Sequence, residues 1–326
     1  MSKKETLCIG VILKFKMKIL ILGGTRFLGK KILNSLLKFD HQIWVISRRK
    51  VNIKNINFLN LEREKGIKNL KGIEFDLIID FIAYKTNDIL DIYINLSTKL
   101  YIFISTTWIT RLWGGKIANE FRPINQNKNK LSPLTQNYLI GKYQCEDKII
   151  KLVNKGFKAK ILRLPIIFGQ DEHTGRLNFY IERINDNKPI IQIKNKITKI
   201  QIGCSENIKT AFIKWLLICA EKQITIWEAL PNPGIETKFF ITKLAKSMNK
   251  KISFIDISKN ELLNYLPEYL ELEPFWREEE LQISNSNIYK FINLPAEDFK
   301  NCSFGNKLKL KTSLRLKEIN YFAKYQ

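Results

Sequence analysis

The apolar run Lys18–Leu22 (KILIL) leads directly into Gly23-Gly24-Thr25-Arg26-Phe27-Leu28-Gly29. Apolar residues at helical spacing follow: Leu28, Ile32, Leu33, Leu36 and Leu37. A run without polar alternation reads as a strand buried on both faces. The glycines after it allow a backbone turn with little side-chain bulk, and the next helix points its first N–H groups at whatever fills that turn. This is the arrangement that admits a dinucleotide pyrophosphate. Gly23, Thr25, Arg26, Phe27, Leu28 and Gly29 are therefore candidate cofactor contacts. Arg26 replaces the middle glycine of the usual spacing. A cation at a helix start opposes the helix dipole, so Arg26 reads as a fork for a cofactor phosphate.

Strands and helices alternate through the rest of the first half. The expected strands are Gln42–Ile46, Asn57–Leu59, Asp76–Ile82, Leu100–Ile104 and Ala159–Leu164, with a helix over Tyr138–Val153. Such alternation predicts an α/β fold, a Rossmann-type doubly wound parallel sheet. The second half is less regular, with helices expected over Leu177–Ile184, Ser205–Lys222, Thr237–Lys250 and Lys259–Leu266, and strands over Ile197–Ile202 and Ile224–Trp227. The expected organisation is an N-terminal extension (1–16), a dinucleotide-binding Rossmann domain (17–165) and a smaller, mixed, mainly substrate-binding part (166–326). Segments near 197–228 are expected to return to the sheet.

Composition excludes several classes. With 326 residues, 45% hydrophobic and 26% charged, the chain is globular. Five scattered cysteines without a C-x-x-C, and only His41 and His173, argue against a disulfide scaffold, a metal site and a Ser-His-Asp triad. A reducing, cytoplasmic setting is expected. No run of 18 apolar residues predicts a membrane span, and the start MSKKETLCIGVILKFK lacks a small-residue cleavage site. The net charge of +24 comes from 44 Lys and 11 Arg spread along the chain. Base and phosphate recognition favours Arg forks, so specific nucleic-acid binding is not expected.

The second strand ends in Ser47-Arg48-Arg49-Lys50, where NAD-binding domains place a carboxylate on the ribose 2′-hydroxyl. A hydroxyl and cations suit a 2′-phosphate, so Ser47, Arg48 and Arg49 point to NADP(H) over NAD(H). Tyr138 and Lys142 stand at i and i+4 on one helix face. An ammonium near a phenol favours phenolate, and the phenol can then exchange a proton while hydride moves. The strand before this helix ends in Ser105-Thr106-Thr107, where a hydroxyl at a parallel strand's carboxyl end can hold a substrate oxygen.

Together these features resemble the extended short-chain dehydrogenase/reductases, the NAD-dependent epimerase/dehydratase family, from about Met17 onward. MKILILGGTRFLG looks like the atypical branch that includes chloroplast stem-loop-binding proteins and bacterial reductases. The resemblance implies Thr106 as the catalytic Ser/Thr, Tyr138 as acid/base and Lys142 as its partner. It places Phe81, Ala83 and Tyr84 along the cofactor, together with Tyr138 and Lys142. It matches Leu162–Gly169 to the family's L-R-x-x-x-x-x-G run, with Pro165 beside the nicotinamide and Glu206 later in the chain where Asp is usual. A monomer or a homodimer formed through the Tyr138 helix is the family expectation.

Departures narrow the function. Thr107-Trp108 stand where sugar-nucleotide dehydratases carry Asp-Glu, and Ile166 stands where many epimerases carry Asn. Trp108, Trp113 and Phe168 either line an apolar cleft or pack in a core. The leading expectation is an NADP(H)-dependent oxidoreductase on a small carbonyl, alcohol or imine. Alternatives are an epimerase with tightly bound NAD(P) on a sugar-like substrate, and a nucleic-acid-binding protein on a dehydrogenase scaffold.

Overall fold

A computed structural model describes residues 16–109, 133–172, 176–196, 199–219, 225–231, 235–272, 289–294 and 313–322. Each apolar run of the first half is a strand of one sheet: β1 (Lys18–Leu22), β2 (Gln42–Ile46), β3 (Asn57–Leu59), β4 (Leu77–Asp80), β5 (Tyr101–Thr106) and β6 (Ala159–Leu164). Ile226–Pro231 (β7) and Tyr289–Leu294 (β8) extend it. The order is β8-β7-β6-β5-β4-β1-β2-β3, and the pairings from β3 through β7 are parallel. The order reverses between β1 and β4, which puts the turns after those strands on either side of a switch point.

Two compact units are present. The first comprises Met1–Pro165, Ser205–Leu230 and Leu281–Leu294, and contains the large sheet. Its helices are α1 (Phe27–Leu36), α2 (Arg63–Asn69), α3 (Thr86–Asn95), α4 (Pro133–Val153) and α5 (Ser205–Cys219). Leu20, Leu22, Ile78, Phe103 and Ile161 from the strands pack with Ile89, Ile92, Ile149 and Leu152 from the helices. At ~25 cal/mol per Å² this apolar burial is the main favourable contribution to folding. On the other face α1 packs beside α5.

The second unit comprises Ile166–Cys204, Pro231–Glu280 and Pro295–Gln326. Its described residues form three two-stranded sheets: Ile166–Phe168 parallel to Ile202–Cys204, Ile190–Ile193 parallel to Phe254–Ile257, and Lys199–Ile200 antiparallel to Ile235–Glu236. The single strand expected over Ile197–Ile202 is thus two short strands with different partners. Phe168 is buried and packs edge-on against Phe240 at 5.5 Å, so it belongs to this unit's core. A buried ionic network joins its helices Arg176–Asn185 and Ser313–Phe322: Arg183 donates to Glu318, and Arg315 donates to Asp186 at 2.7 and 2.9 Å.

Cys145 is free and buried, whereas Cys204 is disulfide-bonded. The disulfide departs from the expectation of uniformly reduced cysteines, because sequence spacing does not reveal which distant residues the fold brings together. The expected extension through residue 15, His173 and Trp113 lie outside the described residues. Among those described, no helix is long and apolar enough to cross a membrane.

Candidate active site

The glycine turn joins β1 to α1. Gly23 adopts φ +83° and donates its N–H to the Ile46 carbonyl at 3.1 Å, which ties the turn to the end of β2. Gly29 lies so close beneath the turn that a Cβ there would stand 3.1 Å from the Gly23 oxygen and Gly24 Cα. Phe27, at φ +40°, holds a strained backbone at the helix start. Arg26 occupies the N-cap position without a side-chain cap bond, and the first turn carries no acidic residue. Leu28 is buried and packs the helix down. Thr25 turns inward, its hydroxyl 2.8 Å from that of Ser47.

That contact specifies the part Ser47 plays. Its buried Oγ also accepts the Arg49 N–H at 3.2 Å, so the hydroxyl ties two loops together. Asn60 donates to the Ser47 and Arg48 carbonyls at 3.0 and 2.8 Å and shapes the same loop. Arg48 and Arg49 are exposed beyond it, with Arg48 Nε 4.0 Å from Glu62.

The loop after β4 runs beside the glycine turn. Phe81 donates its N–H to the Leu22 carbonyl at 3.0 Å, and a Cβ on Gly23 would collide with Ile82. Ala83 is buried and Tyr84 half exposed. A charged cluster fixes this loop from below. Asp80 is fully buried at the end of β4, where it accepts two bonds from Arg63 at 2.9 and 2.6 Å, the Tyr101 hydroxyl at 2.9 Å and the Ile82 N–H at 3.0 Å. Burial works against the Arg63 cation, but Asp80 more than offsets it. Asp88 accepts the N–H groups of Tyr84 and Lys85 at 2.7 and 3.1 Å.

Helix α4 brings Tyr138 and Lys142 to this loop. Tyr138 is 39% exposed, and its ring centroid lies 6.1 Å from that of Tyr84. Lys142 is buried and donates to the Ile104 carbonyl of β5 at 2.8 Å. Burial lowers its pKa to about 8, against the opposing pull of Asp80. Gly141 allows the close approach, because a Cβ there would strike the Tyr84 carbonyl oxygen. Thr106 ends β5, two residues beyond the carbonyl that Lys142 engages, and its hydroxyl accepts the Trp108 N–H at 3.2 Å. Trp108 is half buried against Ile109 and Leu139. Pro165 follows β6, beside Thr106 through the Thr106–Leu164 register.

The structure thus gathers the predicted residues at the carboxyl ends of β1, β2, β4, β5 and β6. Several supporting residues carried weaker sequence signals. Arg163, in the L-R run, is buried and donates to Glu146 of α4 at 2.6 and 3.0 Å and to Glu228 of β7 at 2.8 Å. It thereby locks the Tyr138 helix onto the sheet. Asp80, a lone carboxylate closing an apolar strand, could have been read as a buried anchor. Its partners Arg63 and Tyr101 could not. Glu206 opens α5 and pairs with Lys31 and Lys209. Burial would raise its pKa, but hydrogen bonds from those lysines hold it below the ordinary range.

Strand order and glycine turn together define a Rossmann-type doubly wound parallel sheet. No protein-family model matches the chain, and no curated protein matches it. Solved structures do. UDP-N-acetylglucosamine 4-epimerase from Methanobrevibacter ruminantium, solved with UDP-N-acetylmuramic acid, aligns with a TM-score of 0.59 at 14% identity over 95% of this chain and 99% of that one. UDP-glucuronic acid 4-epimerase from Bacillus cereus, solved with NAD, aligns at 0.57 and 15% identity over 74% and 86%. An epimerase from Methanothermobacter thermautotrophicus aligns at 0.58 and 12% identity over 78% and 83%. Likeness at such identities establishes the fold.

Proposed function

We propose that the protein is a nicotinamide-dinucleotide-dependent oxidoreductase acting on a small carbonyl, alcohol or imine, with Tyr138 as general acid/base. The observation that carries this reading is the placement of a buried ammonium, Lys142, in the same loop cluster as Tyr138 and the glycine turn. A dinucleotide fits the residues present. Gly23, Gly24 and Gly29 keep side-chain bulk out of the turn itself, the start of α1 lacks a capping side chain, and Arg26, Arg48 and Arg49 supply cations. The bound nicotinamide would supply or accept the hydride.

Tyr138 is partly exposed at the site, and in this reading Lys142 stabilises the deprotonated form of its phenol. Thr106 keeps its hydroxyl hydrogen for a substrate oxygen, because its bond to the Trp108 N–H uses only a lone pair. Arg48 and Arg49 favour the 2′-phosphate of NADP(H), whereas Ser47 serves chiefly to hold their loop.

A second reading is epimerisation with a retained cofactor. It is favoured by the similarity to UDP-sugar 4-epimerases. One assay separates the two: incubation with a carbonyl panel plus NADPH, and with UDP-sugars and no added cofactor. Stoichiometric NADPH consumption supports the oxidoreductase. Epimer formation without net redox change supports the alternative. Neither activity, with a panel broad in size and polarity, contradicts both.

A further inference from the structure

The Lys142 ammonium lies between two aromatic rings. Its Nζ is 4.6 Å from the Tyr84 centroid and 4.6 Å from the Phe103 centroid. Its hydrogen bond goes to a neutral group, the Ile104 carbonyl at 2.8 Å. Phe103 and Ile104 belong to β5, Tyr84 to the loop after β4, and Lys142 to α4, so three elements enclose one charge. Tyr84 is fixed at both backbone ends. Its N–H donates to Asp88 at 2.7 Å, and its carbonyl rests against Gly141.

The charged and titratable groups facing Lys142 are Asp80 of β4, Arg63 of α2, and Cys145 and Glu146 of α4. Tyr138 lies one turn earlier on α4. Asp80 is taken up by Arg63 and Tyr101, and Glu146 by Arg163. Among the described residues, no carboxylate is hydrogen-bonded to Lys142. A buried ammonium without an anionic partner is costly, and a π face is a neutral way to offset part of that cost.

We propose that Tyr84 is a positioning residue whose ring, opposite Phe103, forms an aromatic cage that holds the Lys142 side chain as an ammonium beside Tyr138. The ring supplies the stabilisation, not the hydroxyl. Tyr84 is half exposed, and burial of its phenol raises its pKa, so the hydroxyl stays neutral while the ring face serves the cation. The catalytic meaning of the cage rests on the proton-transfer reading above. The cage itself does not.

The test follows Lys142 directly. The intact chain is prepared with isotope-labelled lysine, and the ε signals are followed by NMR through a pH titration. Lys142 is assigned by the signal lost in Lys142→Arg. It is expected to titrate near 8, apart from ordinary lysines near 10.5. Tyr84→Phe keeps the ring and should leave the midpoint in place. Tyr84→Leu removes the π face while keeping bulk, and should lower the midpoint by roughly half a unit to one and a half units. A midpoint unchanged or raised in Tyr84→Leu overturns the cage, as does an equal shift in Tyr84→Phe. Should Tyr84→Leu not fold, Phe103→Leu reads the opposite ring with the same expected direction and the same overturning outcome. No cofactor or substrate enters the measurement, so its failure and that of the enzymatic reading are distinguishable.

Discussion

Three residues in this site carry different chemistry, and substitutions should separate them. Tyr138→Phe keeps the ring and removes the proton donor. Turnover should fall by about 10²–10⁴-fold, with cofactor affinity nearly unchanged. Lys142→Ala should damage both, because the proposed function assigns its ammonium to stabilise the phenolate and to contact the cofactor. Steady-state rates and cofactor titration of the two variants check this, and near-wild-type turnover by Tyr138→Phe would remove Tyr138 from the mechanism. Arg48→Ala should weaken NADPH by ~1.5–3 kcal/mol and leave NADH unchanged, the cost of a lost charged hydrogen bond. Parallel titration of the two cofactors measures the difference.

At the scale of elements, one steric fit and one ion pair add to the core packing that holds α4 in place. Gly141→Ala would gain ~1 kcal/mol from helix propensity alone. Its Cβ would meet the Tyr84 backbone carbonyl, which cannot swing away as a side-chain end can. Overpacking of ~1–3 kcal/mol should therefore win, and denaturant melts should show a less stable protein. Arg163→Met leaves Glu146 buried without its cation and should cost ~3–5 kcal/mol. Arg163→Met with Glu146→Leu should recover part of that loss. A double variant no more stable than the single one would show that the pair is not the anchor. These elements also mark what the sequence discloses. The strands β1, β2, β3 and β6 match their expected limits; β1 shows why most plainly, because a strand buried on both faces is a continuous apolar run, whereas β3 is an edge strand with no buried residue. Helices α2 and α3, and the strands at 190–193 and 254–257, escaped detection. They are short or strongly mixed in polarity, and tertiary contacts decide their state. Within the site, the glycine turn and Tyr138/Lys142 are legible because their chemistry depends on local spacing. The Asp80–Arg63–Tyr101 cluster is not, since its members come from three separate elements.

For the whole molecule, charge makes two predictions. The +24 net charge should give weak, steeply salt-dependent binding to any polyanion. Hairpin- or sequence-selective binding at physiological salt would contradict this account. Stability should also carry the signature of Lys142, whose pKa falls from 10.5 to about 8 on burial. Between those values the unfolded chain holds a proton that the folded protein has released, so this group's contribution makes stability rise with pH. The advantage of Lys142→Met over wild type should therefore shrink between pH 8 and 10, by an amount approaching ~3 kcal/mol at about 1.4 kcal/mol per unit. A gap constant with pH would contradict the burial of a charged Lys142.

The central claim is that the glycine turn and its neighbours bind a nicotinamide dinucleotide. Titration of the purified protein with NADPH and NADH, followed by intrinsic fluorescence or calorimetry, tests it most directly. Saturable one-to-one binding, tighter for NADPH than for NADH and lost in Lys142→Ala, is the predicted result. Binding of neither cofactor by folded wild-type protein would contradict the account.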